Sequence, residues 1–145
     1  MSITVETSLV HALHRASQAV EAVVEKQLAD LGLTSRQATT LMAISGMSKS
    51  NQSELVEVTG IDRSTMADIL RRLEIRGLIR RPRSKEDARA RIVSLTAKGE
   101  QVEYECRHVL VGAEAIFRLR LGKGEAPLLA GLQVLAVAPK EAAGS

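Results

Sequence analysis

The sequence predicts a mainly α fold with a small β-hairpin, on three observations. Apolar residues recur at helical spacing over most of the 145-residue chain. Tyr104 and Phe117 are the only aromatic residues, so the core would be built from aliphatic side chains, which favours packed helices over a β-sandwich. Two short apolar runs flank a charged loop that starts at Pro82, which indicates the hairpin. We expect one domain over residues 1–145.

The first two helices follow from periodicity and capping. Residues 7–31 carry apolar side chains at helical spacing, and Gly32 ends this first helix. Thr34 and Gln37 form a capping-box pair, in which each side chain accepts from a backbone N–H at the start of a helix. A second helix is therefore predicted from Thr34 to about Ile44.

The next two helices are predicted to form a helix-turn-helix. Asn51 and Glu54 repeat the capping box and open a short third helix that ends near Thr59, and Gly60 supplies the turn. Asp62 is the predicted N-cap of the fourth helix. The buried stripe of the fourth helix is predicted to be Met66, Ile69, Leu70 and Leu73.

The hairpin and the last two helices complete the predicted fold. After the Arg76-Gly77 turn, residues 78–81 and 91–95 read as two strands around the loop 82–90. Thr96 is the predicted cap of a long fifth helix. Gly122 and Gly124 end it, a last helix covers residues 125–137, and a frayed tail is expected from Pro139 onward.

The terminal helical regions, residues 7–31 and 96–137, carry more apolar surface than a small core could cover. Packing against a second copy of the chain would bury this surface, so we expect a two-fold dimer. The alternative is that these helices pack only within one chain.

The positive charge is concentrated in one segment. Residues 60–91 contain ten Arg or Lys against five Asp or Glu, whereas the whole chain has a net charge of only +3. Such a segment is expected where one face meets a polyanion. Charge alone does not exclude a membrane surface or an acidic protein as the partner.

Several function classes are disfavoured by absent patterns. No apolar run approaches the roughly 20 residues that span a bilayer, and the N-terminus does not resemble a signal peptide. A single cysteine fits a reducing cytoplasm. We find no catalytic triad, phosphate loop or paired-carboxylate motif. The sequence therefore predicts a cytoplasmic protein that is not an enzyme, needs no cofactor or metal and has no membrane partner.

The exposed face of the fourth helix is suited to a DNA major groove. Ser64, Thr65 and Ala67 are small, so the start of the helix can approach base edges closely. Arg71 lies on the same face and can reach a guanine or a phosphate, and Arg63 is better placed for the DNA backbone. Alone, this face would also fit an ordinary solvated helix.

Asp68 is an unexpected acid on that face. It can accept a hydrogen bond from a cytosine amino group. Alternatively, it can orient Arg71 or Arg72, and this second interpretation is the one that we favour.

The hairpin loop supplies a second basic element. Arg83, Lys85, Arg89 and Arg91 lie on or beside it, and an arginine at its tip can enter a narrow minor groove, where the negative potential is enhanced. Asp87 is better placed to brace Arg89 than to touch DNA. With the helix face, this loop predicts binding to double-stranded DNA.

These elements resemble the multiple-antibiotic-resistance regulator (MarR) family. The family's hairpin, or wing, reads D-x-R-[AS]-x-x-V-x-L-T-x-x-G, and residues 87–99, DARARIVSLTAKG, meet every fixed position. The resemblance extends over about residues 7–137. It includes RRLE and RGL at the end of the fourth helix, Leu33-Thr34 before the second helix and QSEL at the start of the third.

This resemblance implies a homodimeric winged helix-turn-helix regulator, most often a repressor that a small ligand or an oxidant releases from a palindromic operator. The DNA-binding lobe would be residues 34–95, and residues 7–31 and 96–137 would form the dimerisation region. Arg89 would be the minor-groove arginine, with Ser64, Thr65 and Arg71 in the major groove. A small-molecule effector would bind among the first, second and fifth helices, although its identity and binding residues are unknown.

Two side-chain sets have a functional and an ordinary interpretation. Cys106 could sense peroxide, but it falls on the apolar stripe of the fifth helix and is better explained as a small buried residue. His11 and His14 could share a metal with His108, but without placed carboxylates they are better explained as surface histidines.

Two other functions use the same features. A winged helix could dock an acidic protein through its basic face, although that would not require the small surface of Ser64, Thr65 and Ala67. A transcriptional activator or a non-specific architectural DNA binder is the other alternative, and Asp68 argues against non-specific binding because it repels phosphates.

Overall fold

A computed structural model describes residues 3–137 of the chain. The mainly α fold class with a small hairpin is confirmed. Its elements, in chain order, are α1 (Leu9–Leu28), α2 (Ser35–Ser45), α3 (Gln52–Thr59), α4 (Arg63–Ile75), β1 (Ile79–Arg80), β2 (Ser94–Leu95), α5 (Ala97–Leu121) and α6 (Glu125–Ala136). Short 3-10 turns follow α1 and α5. The tail expected from Pro139 lies outside the described residues.

The chain divides into two compact units, and the boundary between Val111 and Gly112 falls inside α5. The first unit contains a well-defined aliphatic core to which α1 to α4 and β1 each contribute. Its largest fully buried apolar side chains are Leu28, Leu41, Leu55, Met66, Leu70, Leu73 and Leu78. All four residues of the stripe predicted for α4 are buried. The predicted assignment of residues 1–145 to one domain stays a prediction.

The helix starts follow the predicted caps. Thr34 Oγ1 accepts from the Gln37 N–H at 3.2 Å, and Gln37 Oε1 accepts from the Thr34 N–H at 3.1 Å. Asn51 and Glu54 make the same reciprocal pair at 3.0 Å each. Both capping boxes satisfy donors that a helix start leaves without intrahelical acceptors.

The turn between α3 and α4 depends on Gly60, which has a φ of 69°. Residues with a Cβ rarely adopt this left-handed conformation, whereas glycine does so at no steric cost. The Gly60 N–H donates to the Val56 carbonyl at 2.9 Å and closes α3. The chain then enters α4 at Asp62, as predicted.

The hairpin strands are shorter than the predicted ranges 78–81 and 91–95. Only Ile79 with Leu95 and Arg80 with Ser94 form a ladder. Pro82 has no N–H to donate, which interrupts the pairing, and an isolated bridge joins Arg83 to Arg91 further out.

The second strand also pairs elsewhere. The Val93 N–H donates to the Ser50 carbonyl at 2.8 Å, and Ser50 Oγ donates to the Val93 carbonyl at 2.9 Å. Val93 thus forms an isolated bridge with the segment before α3. No local pattern in the sequence predicts this contact.

The wing joins α5 through a close backbone contact at Gly99. Thr96 Oγ1 accepts from the Gly99 N–H at 3.0 Å and donates to the Gly77 carbonyl at 2.6 Å. A Cβ at Gly99 would lie 1.9 Å from the Leu78 carbonyl oxygen, well inside van der Waals contact. Glycine at this position is therefore required by packing.

The second unit holds α6, in which no residue is buried. Leu128, Leu129 and Leu132 line a shallow apolar groove of about 140 Å³ together with Phe117 and Leu121. Among residues 3–137, no helix has the length and hydropathy needed to cross a membrane.

Candidate nucleic-acid interface

The start of α4 is held against the start of α3 by two hydrogen bonds. Gln52 Nε2 donates to the Arg63 carbonyl at 3.2 Å, and the Arg63 guanidinium donates to Ser53 Oγ at 2.9 Å. Arg63, which we predicted to contact the DNA backbone, is thus shared between the two helices of the helix-turn-helix.

The small residues at the start of α4 divide into two kinds. Ser64 and Ala67 are exposed, and their side chains are short. Another molecule could therefore approach the helix backbone closely at these positions. Thr65 is half-buried, and its hydroxyl donates to Asp62 Oδ2 at 2.6 Å while its N–H donates to Oδ1 at 2.9 Å. Both hydrogen bonds hold the pKa of the Asp62 carboxyl below its usual value, and the bond from the Thr65 hydroxyl has the larger effect. The Thr65 hydroxyl is therefore already engaged in the helix cap.

Asp68 binds both arginines that follow it on α4. Arg71 donates to Asp68 Oδ1 at 2.6 Å, and Arg72 Nε donates to Oδ2 at 2.7 Å. Hydrogen bonds from the two guanidinium groups lower the pKa of the Asp68 carboxyl, and the bond from Arg71 has the larger effect. Asp68 is therefore ionised at neutral pH. The orientation of an arginine by Asp68, expected from the sequence, is present in the structure for Arg71 and Arg72 together.

The tip of the wing is held by its own polar groups. Ser84 Oγ accepts from the N–H groups of Glu86 and Asp87 at 3.2 and 3.4 Å, and the Ser84 N–H donates to the Ala90 carbonyl at 2.8 Å. Asp87 Oδ1 accepts from the backbone N–H of Arg89 at 2.9 Å. Asp87 therefore braces Arg89 from within the loop, as the sequence predicted, and does so through the backbone N–H of Arg89.

The basic side chains of the wing are exposed. Among residues 3–137, the side chains of Arg83, Lys85 and Arg89 have no hydrogen-bond or salt-bridge partner. Arg91 makes a long bond of 3.4 Å to the Arg81 carbonyl. The predicted wing set therefore presents several cations that are available to a polyanion.

A groove of about 430 Å³ lies between the start of α3 and the wing. Residues 51–53 at the start of α3 line one side, and Asp87, Arg89 and Arg91 of the wing line the other, with Leu70 and Val93 also in its wall. The capping box uses the N–H groups of Asn51 and Glu54, so helix geometry leaves those of Gln52 and Ser53 as donors.

The sequence-based site set did not include Gln52, Ser53 or Arg81. Arg81 also lines the groove and bonds Glu74 at 2.5 and 3.0 Å. The groove forms between segments that are far apart in the sequence, so local patterns do not predict its lining. The one available signal was that Gln52 and Ser53 lie in the first turn of a capped helix.

The remaining titratable candidates have ordinary surroundings. Cys106 is fully buried, and burial, with the nearby Glu103 carboxylate, raises its pKa to about 11. A thiol with that pKa is protonated at neutral pH and unreactive. His11 and His14 are exposed on α1. Across residues 3–137, no group of three or more His, Cys, Asp or Glu is placed to hold a metal ion.

The two aromatic residues lie in different surroundings. Tyr104 is exposed and packs edge-on against His108, with ring centroids 4.6 Å apart. Phe117 is half-buried and lines the apolar groove of the second unit. Neither placement identifies an effector site.

Known proteins similar to this chain include a family profile, curated relatives and solved structures. The MarR family profile matches residues 31–90, which include α2, α3, α4 and most of the wing. The transcriptional regulator HosA of Escherichia coli O157:H7 is 34% identical over 100 residues, covering 69% of this chain and 73% of HosA. The transcriptional repressor NicR of Pseudomonas putida is 37% identical over 89 residues, and this match spans 61% of the chain but only 56% of NicR.

Among solved structures, the transcriptional repressor CouR bound to a 23-mer DNA duplex superposes with a TM-score of 0.85. It is 28% identical to this chain, and the match covers 94% of the chain and 99% of CouR. CouR bound to p-coumaroyl-CoA matches with the same score and identity. The wing motif, the helix-turn-helix and these relatives together establish that the chain belongs to the MarR family of DNA-binding transcriptional regulators.

Proposed function

We propose that the chain acts as a homodimeric repressor that binds a two-fold symmetric DNA operator and is released from it by a small molecule. It would do so in the cytoplasm, as a binding protein without catalytic activity. Residues 34–95 would form the DNA-binding lobe, and residues 7–31 and 96–137 would form the dimerisation region.

The proposal rests on two features that occur together: a face of α4 that carries short, exposed side chains, and a wing loop that carries exposed arginines. The exposed Ser64 and Ala67 on α4 would let the helix approach base edges in a major groove about 12 Å wide. The guanidinium of Arg89, which has no partner within residues 3–137, would enter the adjacent minor groove. The groove between α3 and the wing would follow the phosphate backbone between them.

Dimerisation is supported by apolar surface that the described chain leaves uncovered. Leu9 and Val10 of α1, and five large apolar residues of α6, are exposed. Monomeric proteins rarely expose a large contiguous apolar patch. A two-fold dimer would cover such surfaces and would place two copies of α4 one turn of DNA apart, about 34 Å.

Release by a small molecule is supported by the pair of CouR structures, one with a DNA duplex and one with p-coumaroyl-CoA. A ligand that favours a dimer whose recognition helices are no longer one DNA turn apart would weaken binding. The effector of this chain is not assigned. Tyr104 and Phe117 supply the only aromatic side chains for it.

The test is DNase footprinting of the purified protein on the DNA that flanks its own gene, with random DNA as competitor. We expect a protected, two-fold symmetric site whose affinity falls steeply with salt, by a slope of about −0.9 per neutralised phosphate. Arg89→Ala should weaken binding to that site by about 10- to 100-fold while the circular dichroism spectrum stays unchanged.

The control is Arg15→Ala, which removes the same charge from an exposed position of α1 outside the predicted DNA-contacting set. Because α1 belongs to the proposed dimerisation region, sedimentation velocity verifies that this variant still forms the dimer. It should leave operator affinity within about twofold. Competition by heparin as effective as that by the protected duplex would instead favour docking of an acidic partner. Equal losses in Arg89→Ala and Arg15→Ala would refute the assignment of Arg89.

A further inference from the structure

Asp68 is a carboxylate on the face of α4 that is proposed to read DNA. Its side chain is 44% exposed, and it lies beyond the first turn, where the helix dipole would favour an acid. A negative charge here repels every phosphate that the helix approaches. Exposed ion pairs on a helix also contribute little to stability, so stability does not account for the residue.

The geometry of its two bonds is specific. Asp68 Oδ1 accepts from Arg71 at 2.6 Å, and Oδ2 accepts from Arg72 at 2.7 Å, so each oxygen holds one guanidinium. A cytosine amino group would have to compete with an arginine for either oxygen. Direct base reading by Asp68 is therefore disfavoured by its own neighbours.

The remaining donors of Arg71 are free to point outward. A guanidinium has five N–H donors in a rigid plane, and the described bond to Asp68 uses one terminal nitrogen of that group. Holding this plane in place reduces the rotamer freedom that the side chain loses on binding. A pre-oriented guanidinium suits a paired acceptor such as O6 and N7 of a guanine.

The wing provides the contrast within the same interface. Arg89 has no side-chain partner among residues 3–137, so it can follow any phosphate or minor groove that it meets. Arg71 and Arg72 are restrained by Asp68 and are less able to adjust to a phosphate at an arbitrary position. The two elements therefore differ in how much they depend on DNA sequence.

We infer that Asp68 is a specificity-determining positioning residue, which holds Arg71 toward a base acceptor and opposes binding of α4 to non-operator DNA. This inference rests on the proposed function, because it needs a DNA-reading helix. Asp68 itself touches no base in this arrangement. It acts through Arg71, with Arg72 as the second side chain that it restrains.

The test uses the full-length protein and two duplexes. One is selected from a random library with the wild-type protein, and the other has the same composition in scrambled order. Asp68→Asn should lower affinity for the selected duplex by about 5- to 50-fold, the range for loss of one oriented base contact. It should raise affinity for the scrambled duplex and make its salt slope steeper by up to about two phosphates, because both arginines are released.

The matched control is Glu57→Gln, which removes an exposed acid of α3 that holds no arginine. Loss of charge alone would raise both affinities together in both variants. Affinities that move in opposite directions in Asp68→Asn only would support the inference. Thermal unfolding by circular dichroism verifies that each variant is folded.

A double-mutant cycle decides whether Arg71 transmits the effect. In an Arg71→Ala background, Asp68→Asn should cause no further loss on the selected duplex. A further loss confined to one cytosine-containing base pair would overturn the inference in favour of direct reading by Asp68. A wild-type protein that prefers no duplex would refute the proposed function and this inference together, whereas parallel affinity changes in a sequence-specific protein would refute the inference alone.

Discussion

Helices α4 and α6 are of similar length, 13 and 12 residues, but they differ in how many of their apolar side chains are buried. In α4, Met66, Ile69, Leu70 and Leu73 are all buried, and the other face carries polar and charged side chains. In α6, no residue is buried, although leucines dominate it. One helix buries its apolar side chains within its own unit, whereas the other leaves them exposed.

This difference separates two kinds of stability. Burial within one chain contributes the same free energy at any protein concentration. Burial between two chains follows mass action, so its contribution grows with concentration. If the proposed dimer is correct, α4 should report the first kind and α6 the second.

The largest expected effect comes from opening the core beneath α4. Leu70 is fully buried, and Leu70→Ala should lower the free energy of unfolding by about 2–5 kcal/mol, because it leaves a cavity that the packed core cannot fill. Urea unfolding followed by circular dichroism measures this loss. It should be the same at low and high protein concentration.

The matched variant is Leu129→Ala in α6, where the same atoms are removed from a side chain that is 53% exposed. Its effect should depend on protein concentration and vanish where the wild type is monomeric. A loss in Leu129→Ala equal to that in Leu70→Ala at every concentration would show that α6 is covered by its own chain.

A charge on α6 should break the proposed dimer directly. Leu132 lines the apolar groove of the second unit, and Leu132→Glu would place a carboxylate on a surface that must lose water when two chains meet. Sedimentation velocity should show a shift from dimer to monomer, and operator affinity should fall by about tenfold or more, since one half-site is lost.

Gln133→Glu gives the comparison for that variant, since it adds the same charge to an exposed polar position one residue further along α6. It should leave the dimer intact. A Leu132→Glu protein that still sediments as a dimer would remove this surface from the proposed interface.

The smallest expected effect concerns Cys106, whose chemical reactivity reports how well the first unit shields this thiol from solvent. Its thiol is buried and its pKa is raised from 9.0 to about 11, so alkylation by iodoacetamide at pH 8 should be slow in the folded protein and fast in urea. Because the folded pKa lies above the unfolded one, the contribution of this group to stability is complete below about pH 9 and is lost as the pH rises toward 11.

Peroxide provides the functional check on the same residue. Operator binding should be unchanged by treatment with hydrogen peroxide at neutral pH, and Cys106→Ser should respond no differently from the wild type. Rapid alkylation of the folded protein, or DNA release by peroxide that Cys106→Ser lacks, would restore the interpretation of Cys106 as a redox sensor.

The sequence predicts best where the determinants are local. The capping boxes at Thr34 and Asn51, the turn at Gly60 and the stripe of α4 all depend on residues within four positions of one another, and all are present in the structure. The strands were predicted too long, because Pro82 has no N–H to continue the ladder, and the pairing of Val93 with Ser50 across 43 residues was not predicted. The spacing of apolar residues along the chain does not predict a contact between two residues so far apart in the sequence.

The candidate site shows the same division. The bonds of Asp68 to Arg71 and Arg72 span three and four residues, which sequence spacing anticipates. The groove between the start of α3 and the wing joins segments about 40 residues apart, so Ser53 and Arg81 were not in the predicted set. The DNA contacts of the predicted residues stay predictions.

The contact between Gly99 and the Leu78 carbonyl gives the wing a fixed base. The backbone there admits no Cβ, and Thr96 fastens the same point to Gly77, so this end of the wing motif is dictated by the scaffold. The tip, with Arg89 exposed to solvent, carries no such restriction. Residues 83–90 could therefore be exchanged for the tip of another wing without disturbing α5, and the overall affinity for DNA could be altered by grafting this loop alone.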